Sequence, residues 1–545
     1  MMCSRSIFRN QFNVLIIVIA FVLHGGNTIS AAHRRWAGPE FYLAASPMVT
    51  SANPAGLSFF DSTSLSGVRF DFTKRNGGFV NYNESDDSYI ISLSAKSLYR
   101  LNSTIVMSGG IAYEFANGNN MSGSALIDPY YNCFDICEFD DANQGRKRLE
   151  RYHVLTAIAY RPKIGYVDGL SFGAGFDFTS ANYSKMKDLR HSNDYSDLKL
   201  SMAASYEFQS NWSVGAAYHF CKSVEGILFE RFSPGDLHHE MLVSYGGFWG
   251  KRKSFEENSG QISKTKTPIH NWFHGVSVQV QLIKPVHFFL ECKYDRRHCN
   301  YGHKSPNSIL YNNFKGHHWD VNAKLIFNSN NAKSNIDGLR HIIGFEAEGN
   351  PVISYESIWK SVHHSSGETE YQYYEPKEVG KSDNRSYSLD YRLDSQVYLF
   401  NAKFSLYDIN RSAYIYPYYR NQRLMPFRIQ ASLQRDYQIK KLNLVTSSLL
   451  LGYGDSFLLS LDDGTYLPDP TQVKPATSEI FQQREEEFLT QSQIFISPKL
   501  RYTRDVRKFL VYFECNYTWT RALEAVTYLN GPSAHKIILS VGLLF

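Results

Sequence analysis

The chain of 545 residues is long enough for two or three ordinary domains or for one large barrel. Its 57 basic and 52 acidic residues leave a net charge of only +5, which argues against the concentrated positive face that nucleic-acid binding requires. Hydrophobic residues make up 43% and charged residues 20%, so the composition excludes a disordered chain.

The first 32 residues have the pattern of a secretory signal peptide. Arg5 and Arg9 precede an apolar run at 12–23, and the small residues Ser-Ala-Ala at 30–32 offer a cleavage site. A membrane anchor is the alternative, but the run is about 12 residues long and a spanning helix needs roughly 20. No second long apolar run follows, so the mature chain is expected to be either a soluble secreted protein or a β-barrel.

Residues 33–65 lack the long alternation of a spanning strand. They contain a compact turn signal made of Asn53, Pro54, Ala55, Gly56 and Leu57. Proline fixes one backbone angle and glycine permits unusual ones, so these five residues alone are typical of an ordinary turn.

From residue 66 to residue 545, apolar and polar side chains alternate with the two-residue period of β-strands. One run carries its apolar residues at Leu198, Leu200, Met202, Ala204, Tyr206 and Phe208. About 18 such segments occur, most of them about 10 to 15 residues long. Tilted membrane strands need about 9–11 residues and soluble strands average about 5–6. The lengths therefore favour an all-β, transmembrane, antiparallel up-and-down barrel over a β-sandwich.

The loops divide into short turns, which are expected in the periplasm, and long polar stretches, which are expected outside the cell. The long stretches lie at about 116–148, 357–385 and 456–488. Strand counting is ambiguous between 221 and 271, where one strand is either missing or miscounted. It is also ambiguous for Ser386–Ile409 and Ala413–Arg420, which are candidates for extensions outside the membrane. We therefore expect an even number between about 14 and 18, with 16 strands as the best value.

The last segment alternates to the terminal residue, with apolar positions at Ile537, Leu539, Val541, Leu543 and Phe545. A final strand that ends in an aromatic residue resembles the signal by which barrel-assembly machinery recognises bacterial outer-membrane proteins. Val541, Leu543 and Phe545 are the predicted assembly signal, with Val541 and Leu543 facing lipid.

The opposite strand faces carry charges of both signs, which suits a water-filled lumen and argues against a strongly ion-selective channel. The predicted lumen-lining residues are Arg69, Asp71, Lys96, Glu114, Asp177, Lys199, Glu207, Glu291, Asp320, Lys324, Arg428, Arg501 and Glu514.

The sequence contains no motif that indicates a catalytic activity. No GxSxG elbow, HExxH helix or phosphate loop occurs, so no catalytic, cofactor or metal site is predicted. Cys133 and Cys137 lie close together in a polar loop, where an oxidising compartment would favour a disulfide between them.

The order of signal peptide, small residues, the Asn53–Leu57 turn and a first alternating strand resembles the long-chain fatty-acid transporter (FadL) family. The resemblance covers residues 50–60 and the general architecture, and the ligand-binding residues of that family have no counterparts here. In that family the N-terminal stretch lies inside the barrel as a hatch, so the resemblance implies that residues 33–65 plug the lumen. The chain as a whole resembles uncharacterised outer-membrane barrels of Bacteroidota-type bacteria.

The expected function is a channel or transporter in the bacterial outer membrane for small molecules, including hydrophobic ones. The expected partners are outer-membrane lipid, the assembly machinery and a small hydrophobic ligand. A plugged lumen with a lateral opening would favour transport. Large ordered loops over a blocked lumen would favour a structural or partner-binding barrel for secretion or surface assembly. A carboxylate–His or Ser–His cluster at the outer rim would favour an outer-membrane hydrolase, although an enzyme is not the expectation.

Overall fold

A computed structural model describes residues 43–131, 134–163, 165, 168–208, 211–233, 238–256, 260–284, 286–305, 308–329, 339–395, 397–440, 442–506 and 509–545. The predicted signal peptide at 1–32 and residues 33–42 lie outside these ranges. Within them, no helix has both the length and the apolar character needed to cross a membrane.

Eighteen antiparallel strands form one closed sheet, in which each strand pairs with the next along the chain and the last pairs with the first. The barrel strands are β1 (Ser64–Asn76), β2 (Asp87–Arg100), β3 (Ile105–Met121), β5 (Gly145–Tyr160), β6 (Leu170–Lys185), β7 (Arg190–Phe208), β8 (Trp212–Glu230), β11 (Thr267–Leu282), β12 (His287–Ser305), β13 (Ser308–Ser329), β14 (Leu339–Glu356), β17 (Lys377–Asp394), β18 (Tyr398–Ile415), β19 (Tyr418–Lys440), β20 (Asn443–Thr465), β22 (Gln493–Val506), β23 (Phe509–Ala522) and β24 (Ser533–Leu544).

The remaining elements lie in the loops and before the barrel. A four-stranded sheet is formed by β4 (Asp135–Cys137), β9 (Glu240–Gly246), β10 (Trp249–Ser254) and β21 (Ala476–Thr477). A separate hairpin consists of β15 (Trp359–His363) and β16 (Thr369–Tyr373). A 3₁₀ helix spans Pro54–Phe59, and an α-helix, which we call α1, spans Glu479–Thr490.

The two faces of the barrel wall differ in the way that a membrane barrel requires. One face exposes large apolar side chains at alternate positions, for example Ile111, Met202, Val276, Leu389 and Phe513. The other face carries most of the charged residues and contacts the segments folded inside the lumen. An apolar outer surface around a polar interior is the pattern of a transmembrane barrel, so the predicted fold class is confirmed.

The best estimate of 16 strands was two short. Among the described residues between 221 and 271, the elements between β8 and β11 are β9 and β10, which belong to the four-stranded sheet and not to the barrel. The segments Ser386–Ile409 and Ala413–Arg420 belong to β17, β18 and β19, which are full barrel strands. They were hard to assign because these strands run for 18 to 23 residues and therefore extend beyond the membrane.

The barrel has one end with short turns and one end with long loops. The connections after β2, β19 and β22 are short in sequence, and the C-terminal end of β24 lies at the same end of the barrel. The long loops carry β4, β9, β10, β21 and α1. Because long loops of such barrels face the exterior, we name this the outer end and the other the periplasmic end.

Candidate functional site

The N-terminal residues 43–60, which we call the inner segment, fold inside the barrel near its periplasmic end. Asn53 caps the 3₁₀ helix by accepting a hydrogen bond from the backbone N–H of Ala55 at 2.8 Å. Its side-chain amide donates to Gln279 Oε1 at 2.8 Å and to the carbonyl oxygen of Ala204 at 3.2 Å. The backbone N–H of Ala52 donates to Glu291 Oε1 at 2.9 Å. Asn53 of the predicted turn and the preceding Ala52 therefore tie the inner segment to three barrel strands.

Glycines on the inner face of the wall allow the inner segment to approach closely. A Cβ atom at Gly173 of β6 would overlap the backbone of Pro54 and Ala55, and one at Gly215 of β8 would overlap the side-chain amide of Asn53. The segment also buries apolar surface, because Leu57 and Phe60 pack with Val49, Val106 and Ala159.

A second body of chain, which we call the outer plug, closes the other end of the lumen. It consists of β4, β9, β10, β21 and α1, which come from three different long loops. Its apolar core includes Phe134, Ile136, Val243 and Trp249, and it packs against inner-face residues of strands from β8 round to β19, such as Tyr301. Only a body inside the barrel can contact so many of its strands at once.

Buried charges fix the outer plug to the wall. Arg411 of β18 donates to Glu485 of α1 at 2.6 Å, and the Glu485 side chain is 0% exposed. Arg420 of β19 donates to the carbonyl oxygen of Gly247 at 2.8 Å and to Gln482 Oε1 at 2.7 Å. In a water-poor interior such charge-assisted bonds are short and strong when both partners are present.

One carboxyl inside the outer plug has a shifted pKa. Burial raises the pKa of Asp135 from 3.8 to about 6, although hydrogen bonds from Ser124 and Tyr82 partly oppose the shift. The hydroxyl of Ser124 donates to Asp135 at 2.5 Å and that of Tyr82 at 3.1 Å. The same burial, with the charge of Asp135, raises the pKa of Tyr82.

Between the inner segment and Tyr131, in the loop before β4, lies a chamber of about 550 Å³. The apolar part of its lining includes Val49, Leu57, Leu155, Ala157 and Phe273. The polar part is formed by Asp177, Lys199, His219, Lys293, Asp295 and His318. The chamber can therefore hold a small molecule and offer it both an apolar wall and charged groups.

Tyr131 separates this chamber from a second cavity of about 620 Å³, because it lines both. Arg297, only 1% exposed, holds Tyr131 in place. Its guanidinium donates to the carbonyl oxygen of Tyr131 at 2.6 Å and to Asn271 Oδ1 at 2.7 Å. The same guanidinium lies 4.6 Å from the Tyr131 ring and 5.3 Å from the Phe273 ring. The two cavities therefore meet at Tyr131.

The polar side of the chamber is organised by His318. Its ring nitrogens lie 3.4 Å from Asp295 Oδ2 and 3.1 Å from Glu348 Oε1, so it bridges β12 and β14. His219 contacts Ser277 Oγ at 2.8 Å, but Ser277 is 1% exposed and also accepts from Gln279. This Ser–His pair therefore does not present a nucleophile to the chamber.

The wall beside the second cavity contains a break in the strand pairing. The β18–β19 pairs stop at Leu406–Phe427 and resume at Ile409–Leu424, and β19–β20 shifts register between Leu424 and Pro426. Proline has no N–H to donate, which accounts for the interruption. Pro426 and Phe427 line the second cavity.

All thirteen residues predicted to line the lumen lie on barrel strands, on the face opposite the exposed apolar side chains. Asp177 and Lys199 line the chamber, Arg428 lines the second cavity and Glu291 holds the inner segment. Several others form ion pairs: Arg69 with Asp71 at 2.7 Å and Glu514 at 3.3 Å, Glu114 with Arg151 at 3.5 Å, and Glu207 with Arg161 at 2.7 Å. The structure also places Lys96, Asp320, Lys324 and Arg501 on this face.

Other predicted residues fall outside the chamber. Val541 and Phe545 are 48% and 53% exposed on the outer face, where lipid would contact them, and Leu543 alternates to the same face. Their role in assembly stays a prediction. Cys137 is a buried thiol in β4, whereas Cys133 lies outside the described residues, so the disulfide also stays a prediction.

Sequence reasoning missed Tyr131, Arg297, Asp295 and His318. Tyr131 lies in a loop without periodicity, so no local pattern distinguishes it. The other three alternate inward on β12 and β13, and a complete list of inward polar positions would have included them.

Comparison with known proteins gives a family but no activity. No curated protein matches the chain. Similar solved structures include the toluene transporter TodX of Pseudomonas putida, at 10% identity with a TM-score of 0.29, covering 92% of this chain and 93% of that one. Another is the ferric preacinetobactin receptor BauA of Acinetobacter baumannii, at 9% identity with a TM-score of 0.40, covering 88% and 80%.

The ferric-catecholate import receptor Fiu of E. coli K12 is similar at 8% identity with a TM-score of 0.38, covering 88% of this chain and 81% of that one. Such distant likenesses assign neither a function nor a ligand. Residues 54–545 match the family described as "Family of unknown function (DUF6850)". The chain therefore belongs to this family.

Proposed function

We propose that the protein is an outer-membrane channel or transporter that passes a small molecule through its lumen. The observation that carries the proposal is the chamber of about 550 Å³ between the inner segment and Tyr131. Cavities of about 300–1,000 Å³ are typical of small-molecule sites. Both ends of the lumen are occupied by protein, so passage requires at least one of the two bodies to move.

The lining of the chamber suits a small amphipathic molecule. Leu57, Leu155 and Phe273 offer an apolar surface, while Lys199 and His318 offer charged or hydrogen-bonding groups. A molecule with an apolar body and one polar group would satisfy both sides. The interrupted pairing at Pro426 gives such a molecule a weak point in the wall, through which an apolar body could reach lipid.

The inner segment is the expected moving part. Its polar attachments to the wall are single hydrogen bonds, from Asn53 to Gln279, from Ala52 to Glu291 and from the Arg100 guanidinium to the carbonyl oxygen of Ser58, each worth roughly 0.5–3 kcal/mol. The outer plug is held by a larger apolar core as well as by buried ion pairs. The segment also precedes β1, so its release leaves every barrel strand in place.

The first test compares the intact protein with a variant lacking residues 33–60 in planar lipid bilayers. Because the strands remain intact, the variant should insert, and it should show a higher conductance with more frequent openings. Insertion is checked by the altered gel migration of the unheated barrel. Equal conductance of the two inserted proteins would contradict the hatch role.

A reversible lock gives a sharper test. A Cβ atom at Gly175 would lie 3.8 Å from Cβ of Pro54, the separation that a disulfide requires. In a Cys221→Ser background, the pair Pro54→Cys and Gly175→Cys should abolish openings when oxidised and regain them in reductant. Each single cysteine variant is the control and should be insensitive to reductant. Openings that persist in the cross-linked protein would show that the inner segment does not gate the lumen.

One observation favours a second candidate, a structural or partner-binding barrel. The outer plug is built from three long loops and fixed by the buried Arg411–Glu485 pair, so it closes the lumen with an ordered surface. If the variant lacking residues 33–60 inserts and stays closed, this second candidate replaces the transport proposal.

A further inference from the structure

A groove of about 870 Å³ crosses the lipid-facing surface of β22, β23 and β24 at the periplasmic end. Its outward side chains include Leu442, Tyr502, Phe513 and Val541, which are 51%, 41%, 50% and 48% exposed. An exposed apolar surface at this height of a barrel contacts the acyl chains and headgroup region of the inner leaflet. Lipid is therefore the expected occupant of the groove.

Arg504 lies on the outer face of β22 within this groove. It is exposed, and it forms no hydrogen bond or ion pair with any residue that the structure describes. A guanidinium at the membrane interface needs an acceptor, and phosphate matches its fork of donors. The neighbouring Tyr502 hydroxyl donates to Asn443 Oδ1 at 3.1 Å, which orients the tyrosine beside the same position.

The groove also discriminates between headgroups by charge. Asp505 alternates to the opposite face of β22, so none of the outward side chains that line the groove is a carboxylate. A zwitterionic headgroup would bring an ammonium with no acidic partner, whereas an anionic headgroup brings only the charge that Arg504 attracts.

We propose that this groove binds one anionic glycerophospholipid of the inner leaflet, with the phosphate on Arg504 and the acyl chains along Tyr502, Phe513 and Val541. The site lies on the outside of the wall, away from the chamber, and does not depend on transport. It would act as a fixed lipid contact next to the terminal strand.

The test is native mass spectrometry of the full-length mature barrel in detergent, with added phosphatidylglycerol or with phosphatidylcholine of the same acyl chains. One phosphatidylglycerol should remain bound, and phosphatidylcholine should bind more weakly. Arg504→Gln should reduce phosphatidylglycerol retention roughly tenfold, and Arg504→Lys, which keeps the charge without the fork, should bind at an intermediate level.

The matched control is Arg423→Gln, because Arg423 is an exposed arginine on β19 whose partner is Asp408 at 2.9 Å. It should leave lipid retention unchanged. Insertion of each variant is verified by unheated gel migration, and Arg504→Lys serves if Arg504→Gln does not insert. Equal retention of the two lipids, unchanged retention in the Arg504 variants, or a dimer that covers the groove without lipid would each overturn the proposal.

Discussion

The inner segment and the outer plug occupy the same lumen but are attached to it by different forces. The inner segment depends on the Asn53 cap, one bond to Glu291 and a small apolar cluster around Phe60. The outer plug has a larger apolar core and buried ion pairs such as Arg411–Glu485. Protein closes both ends of the lumen, so we expect the lumen to open where the blocking protein is less firmly attached, which is at the inner segment.

The hydrogen bonds of the inner segment and the ion pairs of the outer plug also differ in the free energy that their loss costs. A neutral hydrogen bond contributes about 0.5–1.5 kcal/mol, so several can break together at modest cost. A buried ion pair contributes little net stability while intact, but losing one partner costs about 3–5 kcal/mol because a charge stays buried. The outer plug is therefore held mainly by its larger apolar core, and it is sensitive to mutation of its buried charges.

The largest expected effect comes from breaking the buried pair of the outer plug. Glu485→Ala leaves the buried Arg411 charge without its carboxylate partner and should lower the free energy of plug opening by about 3–5 kcal/mol. Hydrogen exchange of the amides of β9 and β10, corrected for intrinsic rates, measures this energy. The double variant Arg411→Met and Glu485→Met removes both charges and should recover most of it. An unchanged exchange rate in Glu485→Ala would refute the anchoring role.

A smaller effect is expected from pH through Asp135. Because burial raises its pKa in the folded plug from 3.8 to about 6, the protonated form favours the folded state. The stabilisation of the folded plug by protonated Asp135 is complete below about pH 4 and is lost as the pH rises to about 6, a change of up to ~3 kcal/mol. Plug opening measured by hydrogen exchange should become easier across this window in the native protein. In Asp135→Asn the free energy of plug opening should no longer change with pH across this window. A pH dependence that persists in this variant would come from other groups.

The smallest expected effect is at the inner segment. Asn53→Ala removes the helix cap and the bond to Gln279, so it should weaken docking by about 0.5–2 kcal/mol. Single-channel recording should show more frequent openings, while hydrogen exchange of β9 and β10 should not change. Thr63→Ala, at an exposed position before β1, is the matched control. If Asn53→Ala changed hydrogen exchange in β9 and β10 more than it changed channel opening, the inner segment would not be the less firmly attached of the two bodies.

Much of the wall could be predicted from the sequence, because alternation is a local property of each strand. The exposed apolar face of β7 and the thirteen inward charged residues follow from this period. The outer plug could not be predicted, since β4 has three residues and β21 has two, and their partners lie in other loops. Arg297 and Tyr131 meet only because the barrel brings β12 and the first long loop together.

The pairing of β1 with β24 has a consequence for how the molecule is made. Gly67 lies opposite Leu544 and Asn76 opposite His535, so the two edges of the sheet come from the two ends of the barrel sequence. Contacts of such long sequence separation form late, because the loop entropy must be lost first. Until β1 pairs with β24, the sheet is open, both of its edge strands are unpaired and its concave face is accessible. The loops of the outer plug can pack against the concave face before β1 and β24 pair. The closure of the barrel, as the last step of folding, then encloses these loops.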